Sequence, residues 1–163
     1  MILPVLKFPD KILKTKAQAV TTIGPAERQL VKDMIETMYA KNGVGLAANQ
    51  VGVLKQIFVA SPDQIKGKEL VYFNPTITKR RGEIKEFEGC LSIPEFYEPV
   101  RRAKRVRMRA MLLNGETVEA EAEGLLSRIL QHEVDHLNGI LFVDRLSFLK
   151  KRLAKKKLLQ KER

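Results

Sequence analysis

The only two histidines of this 163-residue chain stand four apart, in Gln131-His132-Glu133-Val134-Asp135-His136-Leu137-Asn138-Gly139. On a helix, residues four apart share a face, so both imidazoles can reach one metal ion. Glu133 sits beside them, placed to exchange a proton with a water polarised by that ion. A catalytic ion needs about three protein ligands and one open position. The single thiol, Cys90, is the candidate for the third ligand. A Cys/His/His set suits a borderline ion such as Zn²⁺ or Fe²⁺. Charge developing on an attacked carbonyl needs donors, and the Leu91 N–H and the Gln50 carboxamide are the candidates. Against this stand blander readings: two surface histidines on an amphipathic helix, and a cysteine that is merely a buried hydrophobe.

The elements that must position these residues follow from pattern. Helical spacing from Gly124 puts Leu125, Ile129, His132 and His136 on one face, with Leu126, Leu130 and Leu137 on another as core. Asn138-Gly139 caps that helix. Cys90 lies in Glu88-Gly89-Cys90-Leu91-Ser92-Ile93-Pro94, where glycine and proline predict an irregular segment with a free backbone N–H. Gln50 closes Gly43-Val44-Gly45-Leu46-Ala47-Ala48-Asn49-Gln50, which reads as a tight turn whose small residues let backbone approach something closely.

Elsewhere, an irregular start over residues 1–24 contains a turn at Phe8-Pro9-Asp10. Pro25 opens a helix that Asn42-Gly43 ends. Strands are expected over Val53 to Ala60, Leu70 to Phe73 and much of Thr76 to Phe87. Val106, Met108 and Ala110 alternate with arginines, and Val118, Ala120 and Ala122 with glutamates. For arginines and glutamates to share a face, the hairpin loop must be odd. A loop of Asn114-Gly115-Glu116 with left-handed Gly115 sets Arg109 against Glu121 and Arg107 against Glu123. From Ser147 a final, exposed helix is expected, with Leu149, Leu153, Leu158 and Leu159 as a thin apolar stripe.

Hydrophobic content of 44% with 30% charged residues is that of a globular domain able to bury a core. One cysteine excludes an internal disulfide and fits a reducing cytoplasm. Neither a signal peptide nor a membrane-spanning run is visible. The net charge of +11 is uneven: residues 101–109 carry +6 and residues 150–163 carry +7, leaving −2 on the rest. A polyanionic partner would have to be met by those two stretches.

Three motifs together, Gly43-Val44-Gly45-Leu46-Ala47-Ala48-Asn49-Gln50, Glu88-Gly89-Cys90-Leu91-Ser92 and Gln131-His132-Glu133-Val134-Asp135-His136, make the chain resemble the bacterial-type peptide deformylases over essentially its whole length. The resemblance implies an α+β fold: antiparallel strands packed around a central metal-binding helix, followed by a C-terminal helix. It implies a catalytic domain over 1–147, with 148–163 as a basic helical tail of the same domain. The implied activity is removal of the formyl group from N-formylmethionine of nascent polypeptides, releasing formate. Cys90, His132 and His136 would bind Fe²⁺, for which Zn²⁺, Ni²⁺ or Co²⁺ can substitute. Glu133 would be the acid/base, and Gln50 with the Leu91 N–H would hold the oxyanion. Val44, Gly45, Gly89, Leu125 and Ile129 would contact substrate, with Arg128 and Glu86 near that pocket. A cytoplasmic monomer that meets the ribosome (rRNA) through its tail is expected.

Two rivals define what must be tested. A zinc metalloprotease shares the His-Glu-x-x-His helix but takes its third ligand downstream, where this chain has no histidine and Glu162 is the only carboxylate after Asp144. A ribosome-binding protein with a structural metal would leave Glu133 without a task.

Overall fold

The computed structural model describes residues 1–161; Glu162 and Arg163, the end of the expected tail, lie outside the described residues. A five-stranded antiparallel sheet runs in the order β1 (Gly45–Ala47), β2 (Ile57–Ala60), β3 (Leu70–Arg81), β6 (Arg105–Met111), β7 (Thr117–Glu123). Between β3 and β6 the chain leaves the sheet to form a separate two-stranded ribbon, β4 (Ile84–Cys90) and β5 (Ile93–Arg102). Three helices complete the fold: α1 (Pro25–Ala40), α2 (Gly124–Leu137) and α3 (Phe148–Lys161). This is the expected α+β architecture, with the histidine-bearing helix α2 at its centre. No helix among the described residues is long and apolar enough to cross a membrane.

Strand alternation decides which face each residue serves. Phe58, Ala60, Tyr72, Val106, Met108 and Ala122 point to one side and pack on Ile129, Leu130, Val134 and Leu137 of α2. Ile57, Val59 and Phe73 point to the other side and meet Val31, Met34 and Met38 of α1. A third cluster joins Leu13, Phe96 and Phe142 to Ala154 and Leu158 of α3. Helix α1 ends in a left-handed cap, as expected from Asn42-Gly43. Asn42 takes the positive φ of 57°, and the Gly43 N–H donates back to Met38 O at 2.9 Å.

Several local expectations are corrected. The glycine-rich stretch before Gln50 is not only a turn: Gly45–Ala47 forms edge strand β1, and Ala48–Val51 a 3-10 turn. Cys90 ends a strand rather than sitting in a wholly irregular segment, although the pairing shifts register between Glu88 and Cys90. The β6–β7 loop does hold three residues with Gly115 at φ 88°, but they are Leu113-Asn114-Gly115, closed by Leu112 N–H donating to Glu116 O at 2.8 Å. Arg105, Arg107 and Arg109 therefore face Glu123, Glu121 and Glu119, in ion pairs of 2.9, 2.7 and 3.2 Å. In α3 the packing residues are Ala154 and Leu158, whereas Leu149, Leu153 and Leu159 are exposed.

Candidate active site

Helix α2 threads the interior, so its polar side chains are buried: Ser127, Arg128, Gln131, Glu133, Asp135 and His136 all lie out of solvent. Each such group must find a partner or cost stability. Gln131 accepts from the Ala103 N–H at 3.0 Å and donates to Ala103 O at 2.9 Å. Ser127 donates to the same carbonyl at 3.0 Å. Asp135 takes Arg102 at 2.6 Å and Arg145 at 2.7 Å. His132 Nδ1 meets Glu88 Oε1 at 2.9 Å. Two atoms of the helix stay unpartnered: Glu133 Oε2 and His136 Nδ1.

Glu133 stands beside a tight triad of donor atoms to which His136 itself belongs. His136 Nε2 lies 3.1 Å from His132 Nε2 and 3.2 Å from Cys90 Sγ. Cys90, His132 and His136 each offer one ligand atom, all within 4.8 Å of one another. In a tetrahedral site with usual metal–N and metal–S lengths, ligand atoms stand roughly 3.3–3.6 Å apart, close to the two separations measured from His136 Nε2. The Glu88 bond occupies His132 Nδ1 and leaves Nε2 free to ligate, the arrangement that fixes a ligating imidazole.

Gln50 is buried, and its orientation is determined. Its Oε1 accepts from the Ala47 N–H at 3.0 Å, so Nε2 points to Ser92 Oγ at 3.1 Å and Cys90 Sγ at 3.4 Å. The donor end of the carboxamide thus faces the triad. Leu91 follows Cys90 in the turn between β4 and β5.

The electrostatics separate the two glutamates. Burial pushes the Glu133 carboxyl up to about 7. Burial also pushes Glu88 upward, but hydrogen bonds from His132 and Arg102 hold it at about 2. One carboxyl is thereby able to trade a proton near neutrality while the other stays a fixed anion.

A cavity opens onto the triad. Gly45 and Val44 on one side, Gly89 and Leu91 on another, and Leu125, Ile129, His132 and Glu133 of α2 all line it, together with Gln50, Cys90 and Arg128. Every residue expected at the site lines this cavity apart from His136, whose Nε2 completes the triad, and Glu86, expected near the pocket but absent from its lining. Phe87, Tyr97 and Leu125 are exposed at the mouth.

A model of the polypeptide deformylase family matches residues 2–152. The chain belongs to the peptide deformylase family. A peptide deformylase of Thermodesulfovibrio yellowstonii is 47% identical over 163 residues, spanning 99% of both chains. The crystal structure of a peptide deformylase from Legionella pneumophila superposes with a TM-score of 0.93 at 42% identity, covering 99% of this chain and 96% of that one. A peptide deformylase from Synechococcus elongatus, solved in complex with actinonin, gives a TM-score of 0.90 at 40% identity, covering 95% of this chain and 86% of the other. As a peptide deformylase the chain is a metal-dependent hydrolase that removes the formyl group from nascent polypeptides.

Sequence reasoning missed the ionic cluster behind the deformylase site. Arg102 belongs to the basic stretch over 101–109 that a polyanionic partner would have to meet, yet its side chain is buried between Glu88 and Asp135. The signal was present: Val100 and Arg102 lie two apart on one strand, so both point inward. Arg128 lines the cavity, with its guanidinium tied to Glu88.

Proposed function

We propose that Glu133 is the general acid/base of a deformylase centre built by Cys90, His132 and His136, acting on N-formylmethionyl nascent peptides. One observation carries this reading: Glu133 Oε2 is buried without a partner beside three clustered ligand atoms. Apart from His136 Nδ1, the buried polar side-chain atoms of this helix find partners, and a carboxylate oxygen left without one is kept for something that comes and goes.

An ion held by Cys90, His132 and His136 would supply Lewis acidity to water and to the formyl group. Glu133 takes a proton from the attacking water. The Gln50 Nε2 and Leu91 N–H donate to the formyl oxygen as charge gathers on it. Glu133 then delivers the proton to the departing amine nitrogen, the carbon–nitrogen bond breaks, and formate and a free amino terminus leave. Val44, Leu125 and Ile129 bound the slot for the methionine side chain. Strand β1 is a sheet edge; the Val44 carbonyl accepts from the Ser61 N–H at 2.8 Å, so a substrate strand would pair on the side away from β2, beside Gly45, with Gly89 on β4 across the cavity.

The family resemblance points to Fe²⁺ as the ion these residues would hold, with Zn²⁺, Ni²⁺ or Co²⁺ as replacements; the Cys/His/His donor set by itself suits Zn²⁺ equally. All the ligand atoms come from one chain, so a monomer suffices, and the lone free thiol suits a reducing cytoplasm. The exposed basic face of α3 meets ribosomal RNA.

Formate release from formyl-Met-Ala-Ser by anaerobically purified protein, with metal analysis, tests the reading. Glu133→Ala is expected to keep its ion and lose activity by about 10² or more. Cys90→Ala is expected to lose the ion. Full metal occupancy in Cys90→Ala, or near-normal turnover in Glu133→Ala, would falsify the corresponding role.

A further inference from the structure

Arg128 lies one helical turn before His132, and its guanidinium is almost wholly buried. Its Nη2 donates to Glu88 Oε2 and to Glu86 O, both at 2.8 Å, and its Nη1 to Val100 O at 3.3 Å. All three acceptors belong to the β4–β5 ribbon that carries Cys90. The Glu88 carboxylate is correspondingly full. Oε2 takes Arg128 and Arg102 Nε, while Oε1 takes Arg102 Nη2 at 2.9 Å and His132 Nδ1 at 2.9 Å. Arg102 is also committed to Asp135 at 2.6 Å, so it cannot follow Glu88 freely.

From this geometry we infer that Arg128 is a positioning residue for the metal centre. It binds the helix bearing two ligands to the ribbon bearing the third, and it holds Glu88 against His132. A guanidinium suits the task because its rigid fork reaches two strands and a carboxylate at once. Without it, Glu88 keeps Arg102 and His132, but the ribbon loses the three bonds that tie it to Arg128, at Glu88, Glu86 O and Val100 O. The ribbon can then shift, and His132 Nε2 and Cys90 Sγ no longer converge on one point. A ligating histidine whose outer partner is disturbed typically loses ~10–100-fold in metal affinity. The competing view is that the aliphatic stem of Arg128 merely walls the substrate cavity, which it also lines.

The inference rests on the metal-centre reading above. Full-length wild type, Arg128→Leu and Arg128→Lys are purified, stripped, and titrated with Ni²⁺ or Zn²⁺ against a chromophoric chelator. Thermal midpoints of the metal-free proteins, and kcat and KM at saturating ion, are recorded alongside. A positioning role predicts ion affinity ~10–100-fold lower in Arg128→Leu and intermediate in Arg128→Lys, which restores one donor, with KM within about threefold of wild type. Ion affinity within twofold of wild type in Arg128→Leu, with KM displaced, makes Arg128 a wall and overturns the inference. Should Arg128→Leu not fold, Arg128→Lys decides, and wild-type affinity there overturns it equally. A wild type that binds no ion sinks the metal-centre reading itself, distinguishable because the failure precedes any substitution.

Discussion

Gly45 shows how much one missing side chain can matter to the chemistry. A Cβ built there would stand 2.5 Å from Glu133 Oε1 and 3.0 Å from its Cδ, so the β1 backbone lies directly against the proposed acid/base. The sequence suggested a close backbone approach at this stretch, but not its object, since Glu133 is far along the chain. Gly45→Ala is expected to displace the carboxyl and lower kcat by about 10², with ion content unchanged. A change confined to KM would place the clash in substrate binding instead. Gln50→Ala tests the opposite wall. Losing a donor to the developing oxyanion is expected to lower kcat and kcat/KM together, by about 2–4 kcal/mol of barrier. Steady-state kinetics on a formyl-Met tripeptide separates that from lost ground-state binding.

At the scale of elements, the histidine helix was legible almost to the residue, because apolar periodicity, a starting glycine and the Asn138-Gly139 cap all agree. The β6–β7 hairpin was legible only in parity. Alternating arginine and glutamate require an odd loop, yet sliding the register by two residues keeps every face unchanged, so charge pattern alone cannot choose. What chooses is the position of the left-handed residue: Gly115 ends the loop rather than sitting at its middle. Gly115→Ala should therefore cost about 1–2 kcal/mol in urea unfolding, wholly from backbone strain, because nothing lies within 4 Å of an added Cβ. Equal stability of variant and wild type would mean the loop has another conformation in solution. The ionic cluster was the least legible part. Glu88, Arg102, Arg128, Asp135 and Arg145 come from three separate regions, and only packing reveals that they share one interior.

For the molecule as a whole, the question is how α3 belongs to the rest. Ala154 and Leu158 enter the cluster of Phe96 and Phe142, next to Cys90, so removing residues 148–163 strips a cover from core beside the site. Charge reversal at Lys150, Arg152, Lys156 and Lys157, all exposed, is the cleaner test of ribosome docking. Co-sedimentation at low salt should be lost while tripeptide hydrolysis persists, and unchanged co-sedimentation would move docking elsewhere.

The seat of α3 is also polar. Asp144 accepts from the Leu141 N–H at 2.9 Å and from Lys14 at 2.5 Å, with Lys151 and Lys155 of α3 at 3.5 and 3.3 Å. Burial pushes the Asp144 carboxyl up, but Lys14, the Leu141 N–H and Lys155 outweigh it and hold the pKa at about 2, against 3.8 in the unfolded chain. A depressed carboxyl stabilises the fold at pH above the unfolded value, and that contribution disappears as pH falls through the folded one. With the carboxyl only partly shielded, the stabilisation is discounted to about 1–2 kcal/mol. Asp144→Asn should thus be less stable than wild type at neutral pH, and the gap in urea midpoints should close between about pH 4 and pH 2. A gap that stayed constant across that range would mean that the stability difference does not come from ionisation of Asp144.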